Sequence, residues 1–177
     1  MNSTVDIPAM QQADAEAFDV IIIGAGLSGI GTAVRLQRDC PDRDFILLER
    51  REAIGGTWDL FRYPGIRSDS DMHTLGYDFK PWEAEKSIAD GPSILSYVNE
   101  TADEHRLRER IRFSQKLLAA DWCSERSQWQ LTVETPEGVR RYRCGFLMMC
   151  AGYYSYDQGY EPDFEGKGSF KGEWIHP

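Results

Sequence analysis

Six residues near the start of the chain have the types and spacing of a phosphate-binding turn. They are Gly24-Ala25-Gly26-Leu27-Ser28-Gly29, which read G-x-G-x-x-G. In this spacing the first glycine permits a tight turn, the second lets the backbone approach a pyrophosphate, and the third allows close packing of a helix on a strand. The N–H groups that open the following helix stabilise negative charge. The chemistry indicated is the binding of a dinucleotide.

An acidic residue follows this turn at the expected distance. Glu49 comes twenty residues after Gly29, close to the spacing of about 20 residues at which an acid binds a ribose 2′-hydroxyl in dinucleotide-binding domains. A carboxylate there would repel a 2′-phosphate, so the pattern favours FAD or NAD over NADP. The alternative interpretation is a glycine-rich turn followed by a solvated glutamate.

A second pair of glycines lies just beyond this acid, in Gly55-Gly56-Thr57-Trp58. Paired glycines let a backbone run close against a cofactor, and Trp58 could cover a ring face. The alternative is a tight turn beside a core tryptophan. No cysteine follows in Thr57-Trp58-Asp59-Leu60, which disfavours a disulfide reductase.

The ten residues 62–71, Arg-Tyr-Pro-Gly-Ile-Arg-Ser-Asp-Ser-Asp, contain two arginines and two aspartates. In a solvated turn such charges contribute little. Beside a cofactor, an aspartate could instead hold a catalytic arginine by charge-assisted hydrogen bonds. The segment lies in an irregular stretch over residues 50–90, and loops of that length in compact domains are usually functional. That position favours the second interpretation.

The surrounding pattern predicts the elements that position these residues. A β-branched run at 19–23 predicts a buried strand, helical periodicity at 27–40 ends before Pro41, and 45–49 predicts a second strand. Strand, helix and strand within about thirty residues form a right-handed βαβ unit. A helix opens at Pro92, and further strands are predicted at 111–113, 117–122, 129–134, 139–144 and 146–150, the last one buried. The fold class predicted is α/β, a Rossmann-like domain with an inserted antiparallel β-meander.

Composition excludes several classes of protein. The 177 residues are 41% hydrophobic, and 20 Lys+Arg against 29 Asp+Glu give a formal charge of −9. That sign disfavours nucleic acid and anionic membrane surfaces as partners, and no apolar run reaches the ~20 residues of a membrane span. The polar residues 1–17 are expected to be a flexible tail without the features of a secretory signal. The four cysteines have no metal-ligand spacing with the histidines, so we expect reduced thiols, no metal and a cytoplasmic location.

The motifs together resemble class B flavin-dependent monooxygenases of the Baeyer–Villiger type. The resemblance runs from about Asp19 to Pro177. It rests on the glycine turn, Glu49, residues 55–58 and 62–71, and Cys150-Ala151-Gly152-Tyr153-Tyr154. Phe170-x-Gly172-x-x-x-His176 also fits the opening of the family fingerprint F-x-G-x-x-x-H-x-x-x-W, which is more specific than the glycine turn.

The resemblance implies a role for each matching residue. It places Gly24, Gly26, Ser28 and Gly29 at the FAD pyrophosphate, Glu49 at the adenosine ribose, Thr57, Trp58, Asp59 and Leu60 along the flavin, and Leu117 at the adenine. Asp69 is the implied catalytic residue, beside the flavin and paired with an arginine from elsewhere. Arg67, Ser68 and Asp69 would receive NADPH, and His176 would belong to an interdomain linker.

The resemblance also implies an activity. NADPH reduces FAD, and a flavin C4a-peroxide formed with O2 inserts one oxygen atom into a ketone or transfers it to sulfur or nitrogen. The implied substrate is a small ketone, sulfide or thioamide, and the oligomeric state is left open. The implied domain order is a tail at 1–17, an FAD-binding portion at 18–166 and the start of a linker at 167–177.

The sequence also departs from the family pattern. It contains no second G-x-G-x-x-G for NADPH and no candidate for the distal arginine. It also lacks the strand and Gly-Asp segment that normally complete the FAD-binding fold, so that fold is expected to be incomplete at its C-terminal side. A truncated, non-catalytic flavin- or nucleotide-binding module is therefore the alternative function. A different two-dinucleotide flavoprotein, such as an amine oxidase, is a third interpretation, and the fingerprint from Phe170 to His176 argues against it.

Overall fold

The computed structural model describes residues 15–157 and 159–175. The predicted tail lies outside them over residues 1–14, as does His176 of the fingerprint. The strands are β1 (Glu16–Ile23), β2 (Phe45–Leu48), β3 (Ile111–Arg112), β4 (Lys116–Cys123), β5 (Gln128–Thr135) and β6 (Gly138–Met149). The helices are α1 (Leu27–Asp39), α2 (Thr57–Leu60), α3 (Met72–Leu75) and α4 (Gly91–Glu104), with 3₁₀ turns at Leu107–Arg110 and Lys167–Ser169.

The six strands form one sheet in the order β3-β2-β1-β6-β5-β4. Strands β3, β2, β1 and β6 are mutually parallel, whereas β6, β5 and β4 form an antiparallel meander. Strand β6 belongs to both parts: residues 138–144 pair with β5, and residues 142–149 pair with β1. The predicted α/β class with an inserted meander is therefore confirmed.

Alternating side chains of the central strands form two cores. Val20 and Ile22 of β1 pack with α1 and α4 on one face of the sheet. Ile21 and Ile23 pack on the other face with the meander residues Leu131, Val133 and Tyr142. Because a strand points successive side chains to opposite faces, the continuous apolar run in β1 reflects burial on both sides. The helices therefore pack on one face of the parallel strands, and meander residues pack on the other.

Two details of the strands differ from the sequence predictions. Strand β1 begins at Glu16, inside the predicted tail, because Glu16 and Ala17 pair with Tyr142 and Arg143 of β6. The predicted buried strand over 146–150 is the second half of β6, yet Phe146 is 58% exposed. Beyond Cys144, β6 pairs with β1 alone among the described residues. One edge of that half is therefore uncovered.

Helix α4 begins one residue before the predicted Pro92. Asp90 is its N-cap and accepts a 2.9 Å hydrogen bond from the N–H of Ser93, and Pro92 lies in the first turn. Such a cap satisfies one of the N–H groups that have no partner inside the helix. Within the part of the chain that the structure describes, no helix is long and apolar enough to cross a bilayer.

Candidate dinucleotide site

The turn between β1 and α1 requires glycine at two positions. Gly24 has a φ of +103°, and a Cβ there would lie 2.6 Å from the carbonyl oxygen of Cys150. A Cβ on Gly29 would overlap the carbonyl oxygen of Gly24, so α1 packs directly on the turn. Only a residue without Cβ fits either place. Gly29 therefore acts in packing, as the third glycine of the motif is expected to do.

The start of α1 is open to a ligand. Gly26 is the N-cap, and no side chain caps the helix there. The first N–H groups of a helix have no partner inside it, and the helix dipole adds positive potential at the same end. Gly26, Leu27 and Ser28 all line the adjoining cavity. This end of the 13-residue helix can therefore bind an anionic group.

Glu49 is fixed at the end of β2 by backbone donors. The residue is only 4% exposed. Its Oε2 accepts a 2.7 Å hydrogen bond from the N–H of Ala25, and its Oε1 accepts a 2.8 Å bond from the N–H of Arg51. A carboxylate offers about four acceptor positions, so both oxygens can still accept from a ligand hydroxyl.

The second glycine pair packs against the first turn. Gly55 and Gly56 have φ values of +125° and +54°. The N–H of Gly55 donates to the carbonyl of Ala25 at 3.0 Å. A Cβ on Gly56 would lie 3.2 Å from the Cα of Gly26. The two turns therefore touch backbone to backbone. Because the glycines have no side chains, the space beside them stays open for a ligand.

Asp59 holds the turn that follows this glycine pair. Its Oδ2 contacts Nη2 of Arg51 at 2.7 Å, and its Oδ1 contacts Nη2 of Arg62 at 2.7 Å. The Nε of Arg62 also donates to the backbone carbonyl of Asp59 at 3.0 Å. Since Arg51 also donates its backbone N–H to Glu49, one arginine connects the acid after β2 to the turn at residues 55–58.

These elements surround a cavity of about 780 Å³, within the usual range for small-molecule sites. Its walls include Gly24, Gly26, Ser28, Glu49 and the residues 55–58, 115–117 and 149–156. The cavity therefore joins an open helix N-terminus to a buried acid at the carboxyl ends of parallel strands. That is the place and the donor set for a dinucleotide in an open α/β sheet.

The comparisons with known proteins agree with this geometry. Residues 22–84 match the model of the NAD(P)-binding Rossmann-like domain. The FAD-containing monooxygenase EthA of Mycolicibacterium smegmatis is 55% identical over 162 residues, which are 92% of this chain and 33% of that protein. The chain is a homologue of FAD-containing monooxygenases. The resemblance expected from the motifs is therefore confirmed.

Two solved structures are also similar to this chain. OTEMO in complex with FAD and NADP is 34% identical with a TM-score of 0.70, over 90% of this chain and 30% of that one. Cyclohexanone monooxygenase from Rhodococcus sp. Phi1 bound to NADP+ is 27% identical with a TM-score of 0.72, over 92% and 30% of the two chains. The chain spans about a third of the length of the curated relatives that it matches.

The structure brings some of the predicted site residues of this chain together at the cavity. Seven line the cavity: Gly24, Gly26, Ser28, Glu49, Thr57, Trp58 and Leu117. Gly29, Asp59, Leu60, Arg67, Ser68 and Asp69 are not among its lining residues. Gly29 and Asp59 support the walls through the contacts described above, and the predicted ligand roles of all these residues remain predictions.

Three predicted site residues, Arg67, Ser68 and Asp69, lie in the charged segment 62–71, and they differ in burial. Ser68 is 3% exposed, its Oγ accepts a 3.1 Å hydrogen bond from the N–H of Ala89, and its own N–H donates to the carbonyl of Ala89. Arg67 and Asp69 are exposed. The pKa of Tyr154 is raised by its hydrogen bond with Tyr153, and the Asp69 carboxylate adds to that rise. The Asp69 charge therefore acts on Tyr154, a residue of the cavity wall, although Asp69 itself does not line the cavity.

The motifs did not predict several residues that line the cavity. Gln115 lies directly before the strand that carries Leu117, and Tyr156 follows the glycine after β6. The pKa of Tyr156 is raised by burial and by the nearby Glu49 charge. The Arg50 guanidinium lies 5.7 Å from the centre of the Tyr156 ring and pairs with Asp157. No spacing rule connects these residues, and only the fold brings them to Glu49.

Proposed function

We propose that this chain forms the FAD-binding part of an NADPH-dependent monooxygenase that acts on small ketones, sulfides or thioamides with O2. The cavity carries the proposal, since it combines an open helix N-terminus with a buried acid held by two backbone N–H groups. Relatives named as FAD-containing or probable FAD-binding monooxygenases support the choice of FAD.

The residues present fit FAD by shape and by charge. The backbone at Gly26 and the N–H groups that open α1 would hold the pyrophosphate, because no side chain fills that end of the helix. Glu49 would accept hydrogen bonds from the adenosine ribose hydroxyls. The turn at Thr57 and Trp58 would run along the flavin, and Leu117 would contact the adenine.

The bound flavin would supply the redox chemistry by taking a hydride from NADPH and activating O2 for transfer of one oxygen atom. The chain's own residues would bind and orient it. The Asp69 charge acts on Tyr154, which lines the cavity, and we propose that the Asp69 carboxylate holds a cationic partner beside the flavin. Arg67 would provide positive charge for the phosphates of NADPH, and Ser68 would shape that loop through its two hydrogen bonds with Ala89.

The state of the cysteines supports a proposal for the cell compartment. None of the four cysteines, Cys40, Cys123, Cys144 and Cys150, is in a disulfide. Disulfides are rare in the reducing cytoplasm, so a cytoplasmic enzyme is favoured.

The function is tested on the natural polypeptide that carries this chain, purified with FAD. We expect NADPH oxidation that requires O2, and a ketone or sulfide product that contains one atom of labelled oxygen. Asp69→Ala should reduce the rate of product formation strongly, while Asp121→Ala should leave it unchanged, since Asp121 is exposed on the meander. FAD binding with no NADPH oxidation would overturn the proposed monooxygenase function and favour the alternative, a non-catalytic flavin-binding module.

A further inference from the structure

Gln115 is a buried amide in the wall of the cavity. It is 8% exposed and lies between β3 and β4. Its backbone N–H donates a 2.8 Å hydrogen bond to the carbonyl of Glu49, so the two residues lie side by side. Both line the cavity. A buried amide at a ligand site must find a partner for each of its polar atoms.

A chain of hydrogen bonds fixes the orientation of this amide. Glu16 binds both terminal nitrogens of Arg112, with 2.6 Å between Oε2 and Nη1. Nη1 of Arg112 donates to the hydroxyl oxygen of Tyr142 at 3.2 Å, and that hydroxyl donates to Oε1 of Gln115 at 3.0 Å. A guanidinium can only donate, so the single proton of the Tyr142 hydroxyl is left for Gln115. The carbonyl oxygen of the amide accordingly faces Tyr142.

The NH2 of Gln115 is the group left for a ligand. Among residues 15–157 and 159–175, no group accepts a hydrogen bond from its Nε2. Every fully buried side-chain nitrogen or oxygen in those residues does have a partner. The Nε2 atom is therefore not fully buried, and Gln115 is one of the residues that line the cavity.

We propose that Gln115 reads the adenosine half of the bound dinucleotide by donating a hydrogen bond from Nε2 to an acceptor atom of that nucleoside. Glu49 beside it can only accept, so the pair offers one acceptor and one oriented donor. Adenosine carries both complements: ribose hydroxyls that donate, and ring nitrogens or sugar oxygens that accept. Tyr142 and Arg112 are positioning residues that act through Gln115. The inference rests on the proposed FAD site.

The test measures equilibrium binding of FAD and, separately, of ADP to the natural polypeptide freed of flavin. Gln115→Met removes both amide groups, and Gln115→Glu keeps an acceptor for Tyr142 but removes the donor. Each substitution should weaken the affinity for FAD and the affinity for ADP by the same factor, about tenfold, because both ligands contain adenosine. Tyr142→Phe leaves the amide free to turn, so both affinities should fall by a smaller common factor.

Gln37→Met is the matched control, because Gln37 also donates from its Nε2, to the carbonyl of His105, and does not line the cavity. Its affinities should equal those of the wild type. Unchanged binding in the Gln115 variants, a loss for FAD without a loss for ADP, or an equal loss in the control would each overturn the inference. A polypeptide that binds ADP and FAD as expected but does not oxidise NADPH would contradict the proposed function alone.

Discussion

The carboxylate of Glu49 accepts a 2.7 Å hydrogen bond from the backbone N–H of Ala25. This bond joins the end of β2 to the glycine turn after β1. The second oxygen of Glu49 is bound by Arg51, so the acid is oriented before any ligand arrives. Preorganisation of this kind reduces the ordering cost that binding must offset.

Glu49→Gln should weaken both the fold and the binding of FAD. A glutamine amide has only one acceptor oxygen, so its NH2 must face one of the two backbone N–H donors. We expect the free energy of unfolding to fall by about 1–3 kcal/mol, measured by urea denaturation without ligand. FAD affinity should fall by about tenfold or more. Glu52→Gln is the control, since Glu52 is exposed; equal effects in both variants would show that the backbone contacts of Glu49 are unimportant.

Gly29→Ala should destabilise the domain itself. Its methyl group would overlap the backbone carbonyl of Gly24, and neither backbone can move without opening the turn. Overpacking of this kind should lower the free energy of unfolding by at least about 2 kcal/mol, measured by thermal and urea unfolding. Gly168→Ala should cost less than about 0.5 kcal/mol, because nothing lies within 4 Å of the added atom. Equal stability of the two variants would contradict the packing role.

The two arginines that bind Asp59 should contribute unequally. The side chain of Arg51 is 24% exposed and that of Arg62 is 72% exposed. An exposed pair is worth about 0.2–1 kcal/mol and weakens in salt, whereas a partly buried charged hydrogen bond is worth about 1.5–3 kcal/mol. Double-mutant cycles with Asp59→Asn should therefore give the larger coupling energy for Arg51→Met than for Arg62→Met. The reverse order would contradict the model of the Asp59 contacts.

The buried thiol of Cys144 should resist alkylation. Burial raises its pKa to about 11, because a low-dielectric environment disfavours the thiolate, which is the reactive form. At pH 8 in the native state, iodoacetamide should label the exposed Cys40 well before Cys144, as followed by mass spectrometry. Raising the pH to about 10 should leave Cys144 largely protonated. In denaturant both thiols should react alike, and equally fast native labelling would contradict the burial of Cys144.

Much of the fold could be predicted from local pattern. The β-branched run before Gly24 and the acid at Glu49 have fixed offsets from the glycine turn, and such offsets are set by the βαβ unit itself. The exposure of Phe146 could not be predicted in this way. An apolar run indicates burial, but which edge of β6 has a neighbour depends on the whole sheet.

The side-chain contacts around the cavity were the part that sequence patterns missed. Tyr142 and Gln115 are 27 residues apart, and no short-range rule predicts that the meander brings them together. Ser68 is part of a motif, yet its hydroxyl turns inward to Ala89, a direction that residue type and spacing do not encode.

The most direct test of the account is the equilibrium binding of FAD to the wild-type polypeptide and to Gly26→Ala. Gly26 has a φ of −80°, and a Cβ there would make only ordinary contacts, 3.5 Å from Gly56 at the nearest. The fold should therefore tolerate alanine, while the added methyl keeps the pyrophosphate from the start of α1. We predict one FAD per wild-type chain, binding at least about tenfold weaker in the variant, and similar melting temperatures without ligand. Failure of the wild type to bind FAD, or equal affinities in the two proteins, would contradict the assignment of this cavity.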